Sequence, residues 1–401
     1  MSLFLKTVPV GEAIGIAARI ARPLSPEDVP LEEAVGRVLA RDVYPDLDIP
    51  GFDRSVVDGY AVVASDTTGA GESIPSFLTL LATVRMGEGA KSEVREGHCV
   101  YVPTGGAVPP GADAVVMVED CEVIGDQVLV KRPVGIGENI VRRGEDFSRD
   151  RPALRAGRRL RPADCGVLAA IGCPTVPVFR MPRVGVISTG NELVSVHDVP
   201  GEGKVRDSNG PMIAAYLRRC GCREKTYGIV PDDREALALA LRRALAENDA
   251  VFLSGGSSKD ERDLTADLIG ELGQVLVHGI AISPGKPTII GRCGEKPVIG
   301  LPGHPASALV VLDRVARPLL AALSGETSRV ENTVLAVLAE NIPSARGRED
   351  YVRVRLEGGR AVPLFGKSGL LNTLAESDGM VRVPAGSEGL EAGTTVGVLL
   401  W

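Results

Sequence analysis

Apolar positions fall into three rhythms along the chain. Residues 11–20 place Ile14, Ala17, Ala18 and then Ala21 at helical spacing, and 31–39 repeats the pattern, which predicts two short packing helices. From 46 to about 143 the rhythm shortens to alternating or aliphatic runs at 76–84, 98–102, 114–118 and 127–130, punctuated by Gly-Glu-Gly, Pro-Pro-Gly and Gly-Asp. This predicts an all-β insertion. A polar, basic stretch over 149–161 leads to a short apolar helix at 165–171, where the chain returns to its first unit.

From residue 183 strands and helices alternate: strands at 184–188, 226–230, 250–253 and 275–277, helices at 212–219, 236–246 and 264–272, then a long helix at 306–322. Such alternation predicts a doubly wound sheet. Its ligand crevice lies beyond the carboxyl ends of the strands, where Ser188-Thr189-Gly190-Asn191-Glu192 and Ser254-Gly255-Gly256-Ser257-Ser258 both fall. Beyond 331, short strands split by Pro343, Pro363 and Pro384 predict a small β domain. The expected fold class is multidomain α/β plus β. An elongated N-terminal unit covers 1–45 and 144–180, the β-rich insertion 46–143, the doubly wound domain 181–325, and a C-terminal β domain, barrel-like, 326–401.

Composition narrows the chemistry. The 401 residues include 48 Gly and 28 Pro but only 3% aromatics, which suits many turns around aliphatic cores. With 45 Lys+Arg against 52 Asp+Glu the net charge is −7, so a duplex nucleic-acid footprint is not expected and any anion site must be local. No apolar run approaches the roughly 20 residues of a membrane span, and the first ten residues lack a signal-peptide charge pattern, so a cytoplasmic protein is expected. The seven cysteines form no Cys-x-x-Cys pair, and the four histidines (His98, His197, His278, His304) are widely separated. Packing thiols, and catalysis by carboxylates, lysine and backbone amides, follow.

Several loops carry candidate chemistry. Ser283-Pro284-Gly285-Lys286-Pro287-Thr288 has Pro287 where a P-loop needs a hydroxyl for Mg²⁺, leaving a stiff turn that presents one lysine to a ligand or to solvent. Gly255 to Asp263 follows a buried strand and precedes a helix, so its amides and hydroxyls suit a phosphate, or a capped turn with Asp263 as N-cap. Glu192 and Asp263, on adjacent loops, are placed to share one Mg²⁺. Gly300-Leu301-Pro302-Gly303-His304-Pro305 forms a stiff loop in which His304 reads as a hydrogen-bonded spacer. The insertion opens with Asp48, Asp53 and Asp58 inside eleven residues, and Thr104-Gly105-Gly106 pairs a hydroxyl with glycines.

On these residues the chain resembles the MoeA/gephyrin E-domain family of molybdopterin molybdenumtransferases. The resemblance spans nearly the whole length through six ordered motifs: 48–61, Thr104-Gly-Gly with its Pro-x-Gly-Ala-Asp-Ala, Gly137-Glu-Asn-Ile with Arg143-Gly-Glu-Asp, Ser188-Thr-Gly-Asn-Glu-Leu, Pro284-Gly-Lys-Pro and Gly300-Leu-Pro-Gly-His-Pro. It implies a homodimer of four-domain subunits, with each site between the α/β domain of one and the insertion of the other. It also implies a reaction of adenylylated molybdopterin and molybdate, with Mg²⁺, that gives the molybdenum–dithiolene cofactor and AMP, and a molybdopterin adenylyltransferase as the partner supplying the pterin. Position by position it points to Asp58, Thr104, Glu192, Asp232, Asp263 and Lys286 for catalysis, with Glu192 and Asp263 on the metal. Ser188, Gly190, Gly255, Gly256, Ser257, Ser258, Pro302, Pro305, Arg348 and Ser368 would bind substrate. Where the family often has basic residues, this chain has Ser283 and Gly279, and Lys259 is a candidate to return one charge. A tungstate-preferring paralogue and a non-catalytic molybdopterin carrier or scaffold are the competing expectations.

Overall fold

The strand–helix alternation after residue 183 folds into one six-stranded sheet in the computed structural model, which describes residues 7–255, 264–327 and 331–401. Across the sheet the strands run Arg223–Val230, Arg183–Thr189, Ala250–Ser254, Lys296–Leu301, Ile289–Cys293 and Gln274–His278. The first four are parallel, and the last two extend the sheet antiparallel. Ala250–Ser254 is buried at every position, as expected of a strand covered on both faces. One face packs Val186, Phe252, Ile213 and Leu217. The other packs Ile187, Leu253, Leu237, Leu241 and Ile269.

Local signals explain the helix boundaries. Arg234–Glu247 starts at Asp233, whose carboxylate accepts from the Ala236 amide at 2.9 Å, and buries Leu237, Leu241 and Ala244 at helical spacing. The long closing helix divides into Pro305–Val311, a π-helical turn Leu312–Ala316 and Arg317–Leu323. Pro318 lacks an amide hydrogen and its ring crowds the carbonyl one turn back, which widens the turn. Asp313, 1% exposed, is satisfied there by Arg314 and by the Tyr216 hydroxyl at 3.0 Å.

Near the N-terminus, Val10–Arg19 forms as predicted and presses Val10, Ala13 and Ala17 into the core it shares with the closing helix. The helix predicted over 31–39 does not form. Only a 3-10 turn, Leu31–Glu33, appears, and Gly36 at φ +78° turns the chain so that Val38 and Leu39 bridge to Arg159 and Val178. Pairing with distant strands wins over a helix flanked by Pro30 and interrupted by glycine.

The insertion contains the four predicted strands plus Gly59–Val62 and Cys121–Ile124, in the order Ala114–Met117, Gly59–Val62, His98–Val102, Ser76–Thr83, Gln127–Val130, Cys121–Ile124. The C-terminal strands Glu349–Glu357, Arg360–Pro363, Thr333–Leu338, Thr395–Leu400 and Gly379–Val383 close into a barrel, because Glu349–Glu357 also pairs with Gly379–Val383. Ile282–Ser283, from the α/β domain, adds to the barrel beside Glu349 and Asp350. Among the described residues no helix is long and apolar enough to cross a membrane. Burial pushes the Cys99 and Cys121 thiols up to about 12, which suits packing rather than chemistry.

Candidate functional site

The parallel strands end on one cavity of about 1320 Å³. Thr189 and Gly190 follow the first strand of the domain, Asp232 the second, Ser254 and Gly255 the third, and Pro302, Gly303 and His304 the strand Lys296–Leu301. The remaining wall comes from the turn Ser283 to Pro287 and from the barrel, through Arg346, Arg348, Ser368 and Leu371.

At the floor the loops lock to one another. The Thr189 hydroxyl donates to Asp232 Oδ1 at 2.8 Å, the Asn191 amide donates to Asp232 Oδ2 at 3.2 Å, and the Asp232 amide donates back to Asn191 Oδ1. Gly255 sits at φ +103°, where a Cβ would lie 1.9 Å from the Thr189 carbonyl oxygen, so only glycine lets the two loops touch. Asn209 begins the helix Asn209–Arg219 and donates to Ser254 Oγ at 2.8 Å and to the Gly303 carbonyl at 2.7 Å, while its Oδ1 is buried with no partner. Asp207 accepts from the Gly210 amide at 2.9 Å.

The charges divide by origin. Glu192, Asp207 and Asp232 come from the strand-end loops, together with Arg206. Lys286, Arg346 and Arg348 come from the barrel and the turn joined to it. Arg348 pairs with Asp350 at 2.9 Å and Arg346 with Glu388 at 3.3 Å, both with largely exposed guanidiniums. The side chains of Glu192 and Lys286 make no hydrogen bond or ion pair among the described residues, which leaves one acceptor and one donor open to a ligand. Carboxylates and hydroxyls are hard oxygen donors suited to Mg²⁺. The described residues contain no group of three or more metal-ligating side chains.

Of the expected residues, Gly190, Glu192, Asp232, Gly255, Lys286, Pro302, Pro305, Arg348 and Ser368 line this cavity together. Ser188 does not; it is buried at the strand end, and its neighbour Thr189, also buried, is the one in the lining. Asp58 and Thr104 are not in the lining. They form their own pair in the insertion, Asp58 Oδ1 accepting from the Thr104 amide at 2.7 Å and from its hydroxyl at 3.1 Å. Gly256, Ser257, Ser258, Lys259 and Asp263 lie outside the described residues. The acidic density around Asp58 is largely structural: Asp53 binds Arg142 and Asp48 binds Arg143, and the Arg143 amide with the Arg142 guanidinium holds the Asp53 carboxyl below its ordinary range against burial.

Sequence reasoning missed Asp207, Asn209, Arg206 and Arg346, and read His304 as a hydrogen-bonded spacer. Asp207-Ser208-Asn209-Gly210 has the look of an ordinary helix start, and only the fold sets it against Ser254 and Gly303. His304 Nδ1 stands 2.8 Å from Ser368 Oγ across the domain boundary.

Comparison with known proteins agrees with this construction over the whole length. Residues 8–172 match the MoeA N-terminal region (domain I and II), 185–322 a probable molybdopterin binding domain, and 335–401 the MoeA C-terminal region (domain IV). The chain belongs to the MoeA family. It is 32% identical to a molybdopterin molybdenumtransferase of Bacillus subtilis over 98% of this chain and 94% of that protein, and 31% identical to one of Staphylococcus aureus over 98% and 95%. Among solved structures, the molybdopterin biosynthesis MoeA protein of Pyrococcus horikoshii OT3 is 36% identical, with a TM-score of 0.88 over 99% of this chain and all of the other. In this MoeA-family chain the domain matched as molybdopterin-binding is the one that carries the floor of the cavity.

Proposed function

We propose that this chain is a molybdopterin molybdenumtransferase, which inserts molybdate into adenylylated molybdopterin and releases AMP in molybdenum cofactor biosynthesis. The observation that carries the reading is the divided cavity, with carboxylates on the strand-end loops facing Lys286, Arg346 and Arg348 from the barrel side, in a chain of this family. Lys286, Arg346 and Arg348 bind the anionic phosphates and the oxyanion, since charge-assisted hydrogen bonds are the strong ones. Asp232, fixed by Thr189 and Asn191, keeps the crevice floor rigid, and Pro302 and Pro305 hold the neighbouring loop. Among the described carboxylates of the cavity, Glu192 and Asp232 would hold Mg²⁺, which when bound would neutralise charge at the pyrophosphate.

The active unit is a homodimer in which the Asp58–Thr104 pair of a second copy completes the cavity. Supporting this, Tyr44, Leu47, Phe52 and Val56 leave large apolar side chains about half exposed on the approach to Asp58, a cost that a second copy would remove. The test is AMP release from adenylylated molybdopterin with Mg²⁺, titrated with molybdate and tungstate. Molybdate-dependent release is the expected result. Tungstate preference would implicate Ser283, and pterin binding without release under either oxyanion would make the chain a carrier.

A further inference from the structure

His304 stands at the entrance to the helix Pro305–Val311, in the loop that lines the cavity, and its Nδ1 lies 2.8 Å from the Ser368 hydroxyl of the barrel domain. The two chains of atoms are held together independently of that contact. The Ala306 amide donates to the Ser368 carbonyl at 3.1 Å, and Arg353, 5% exposed, donates from Nη2 to the Gly366 carbonyl at 3.1 Å, fixing the loop at Ser368 itself and two residues before it. The ring also lies against Gly369, where a Cβ would be 3.7 Å from its Cδ2. The contact is therefore part of a built junction, and both partners face the cavity.

A serine hydroxyl has one hydrogen to give, and a neutral imidazole carries one on either nitrogen. If Ser368 donates to Nδ1, its lone pairs face the cavity and repel an anionic oxygen. With the hydrogen on Nδ1, His304 donates to Ser368 Oγ, and the hydroxyl hydrogen is released to point inward. The cations Lys286, Arg346 and Arg348 line the same cavity and favour an anion there, whereas Glu192, Asp207 and Asp232 come from the strand-end loops. We propose that His304 is a positioning residue that turns the Ser368 hydroxyl into a hydrogen-bond donor to the bound oxyanion. The proposal rests on the reading of this cavity as an oxyanion site.

The test is molybdate binding to the purified full chain by titration calorimetry, with half-saturating molybdate in AMP release as a second readout, for His304→Leu, His304→Asn, Ser368→Ala and the His304→Leu/Ser368→Ala double variant. His304→Leu is expected to weaken molybdate binding roughly tenfold, the usual scale for one hydrogen bond to a charged group, and to raise half-saturation more than it lowers kcat. The double variant should be no worse than Ser368→Ala, because both changes remove one interaction. His304→Asn, whose amide can donate to Ser368 Oγ, should recover most of the loss. Additive losses, or a His304→Asn as weak as His304→Leu, would overturn the proposal, as would unchanged molybdate binding in His304→Leu. If the wild-type chain binds molybdate with this dependence yet releases no AMP, the positioning role stands and the transferase reading falls.

Discussion

Asn209 and Ser254 are joined by a 2.8 Å hydrogen bond that ties the first turn of a helix to the carboxyl end of a central strand. The same amide also holds the Gly303 carbonyl at 2.7 Å, so one side chain spans three loops of the cavity. Replacing Asn209 with Ala leaves the buried Ser254 hydroxyl and the part-buried Gly303 carbonyl short of a donor and should cost about 1–3 kcal/mol. Asn209→Asp should be worse, since a carboxylate cannot donate and would place an uncompensated charge in a position only 6% exposed. Urea denaturation of both variants decides this, and an aspartate variant at least as stable as the alanine one would refute the argument.

Gly255 makes a sharper demand. Its φ of +103° and the 1.9 Å approach to the Thr189 carbonyl exclude any side chain without movement of the backbone. Gly255→Ala is expected to lose at least about 2 kcal/mol of stability, from unfavourable backbone conformation plus displacement of the strand end. Retention of wild-type stability, measured by denaturant midpoint at constant m-value, would show that the loops separate freely.

Lys286 is the opposite case, an exposed side chain with no ion pair or hydrogen bond among the described residues. Lys286→Ala should leave the melting temperature within about a degree, because surface charges contribute little to stability. It should weaken substrate binding by roughly tenfold or more, with a shallower salt dependence than wild type. Equal substrate affinity in the two proteins would remove Lys286 from the anion wall.

The proposed sharing of the site between two copies can be checked by mixing. Copies carrying Asp58→Asn and copies carrying Lys286→Ala, each nearly inactive alone, should recover about a quarter of wild-type activity after random reassociation, since half the dimers are mixed and one of their two sites is intact. No recovery, with mixed dimers demonstrated by mass spectrometry, would place the complete site within one copy.

Asp164 gives a pH dependence. Burial would raise its carboxyl, but hydrogen bonds from the Arg161 and Arg158 side chains and the Arg161 amide prevail and hold it down to about 2. The folded value lies below the ordinary 3.8, so the stabilisation is present above pH 4 and is lost as pH falls from about 4 through about 2. The shift corresponds to roughly 2 kcal/mol. Asp164→Asn should be less stable by that amount at pH 7, with the difference closing toward pH 2. A difference that persists unchanged at pH 2.5 would mean that the pair acts through packing alone.

Much of this architecture is legible in local pattern. The strands Ala250–Ser254 and Arg183–Thr189 carry apolar runs at 250–253 and 184–187, and Leu237, Leu241 and Ala244 repeat at helical spacing, so the sheet and the loops at its ends follow from neighbours in sequence. The helix expected over 31–39 failed because Val38 and Leu39 find partners more than a hundred residues away. Gly59–Val62 went unread for a similar reason, a four-residue run whose strand partners, His98–Val102 and Ala114–Met117, lie far along the chain. Asn209 and Arg346 were illegible as site residues because each gains its role only when a second loop arrives.

The turn bearing Lys286 is continuous with Ile282–Ser283, the pair of residues that joins the barrel edge. One bank of the cavity therefore carries Lys286, with Arg346 and Arg348 paired to Glu388 and Asp350, while the strand-end loops place three carboxylates and one arginine on the other. Under the proposed function, an anionic ligand would meet a lysine unpaired among the described residues on one bank and carboxylates on the other, and the difference would orient it. A splice of two residues between domains thereby gives the cavity two unlike banks, one of them bearing Lys286.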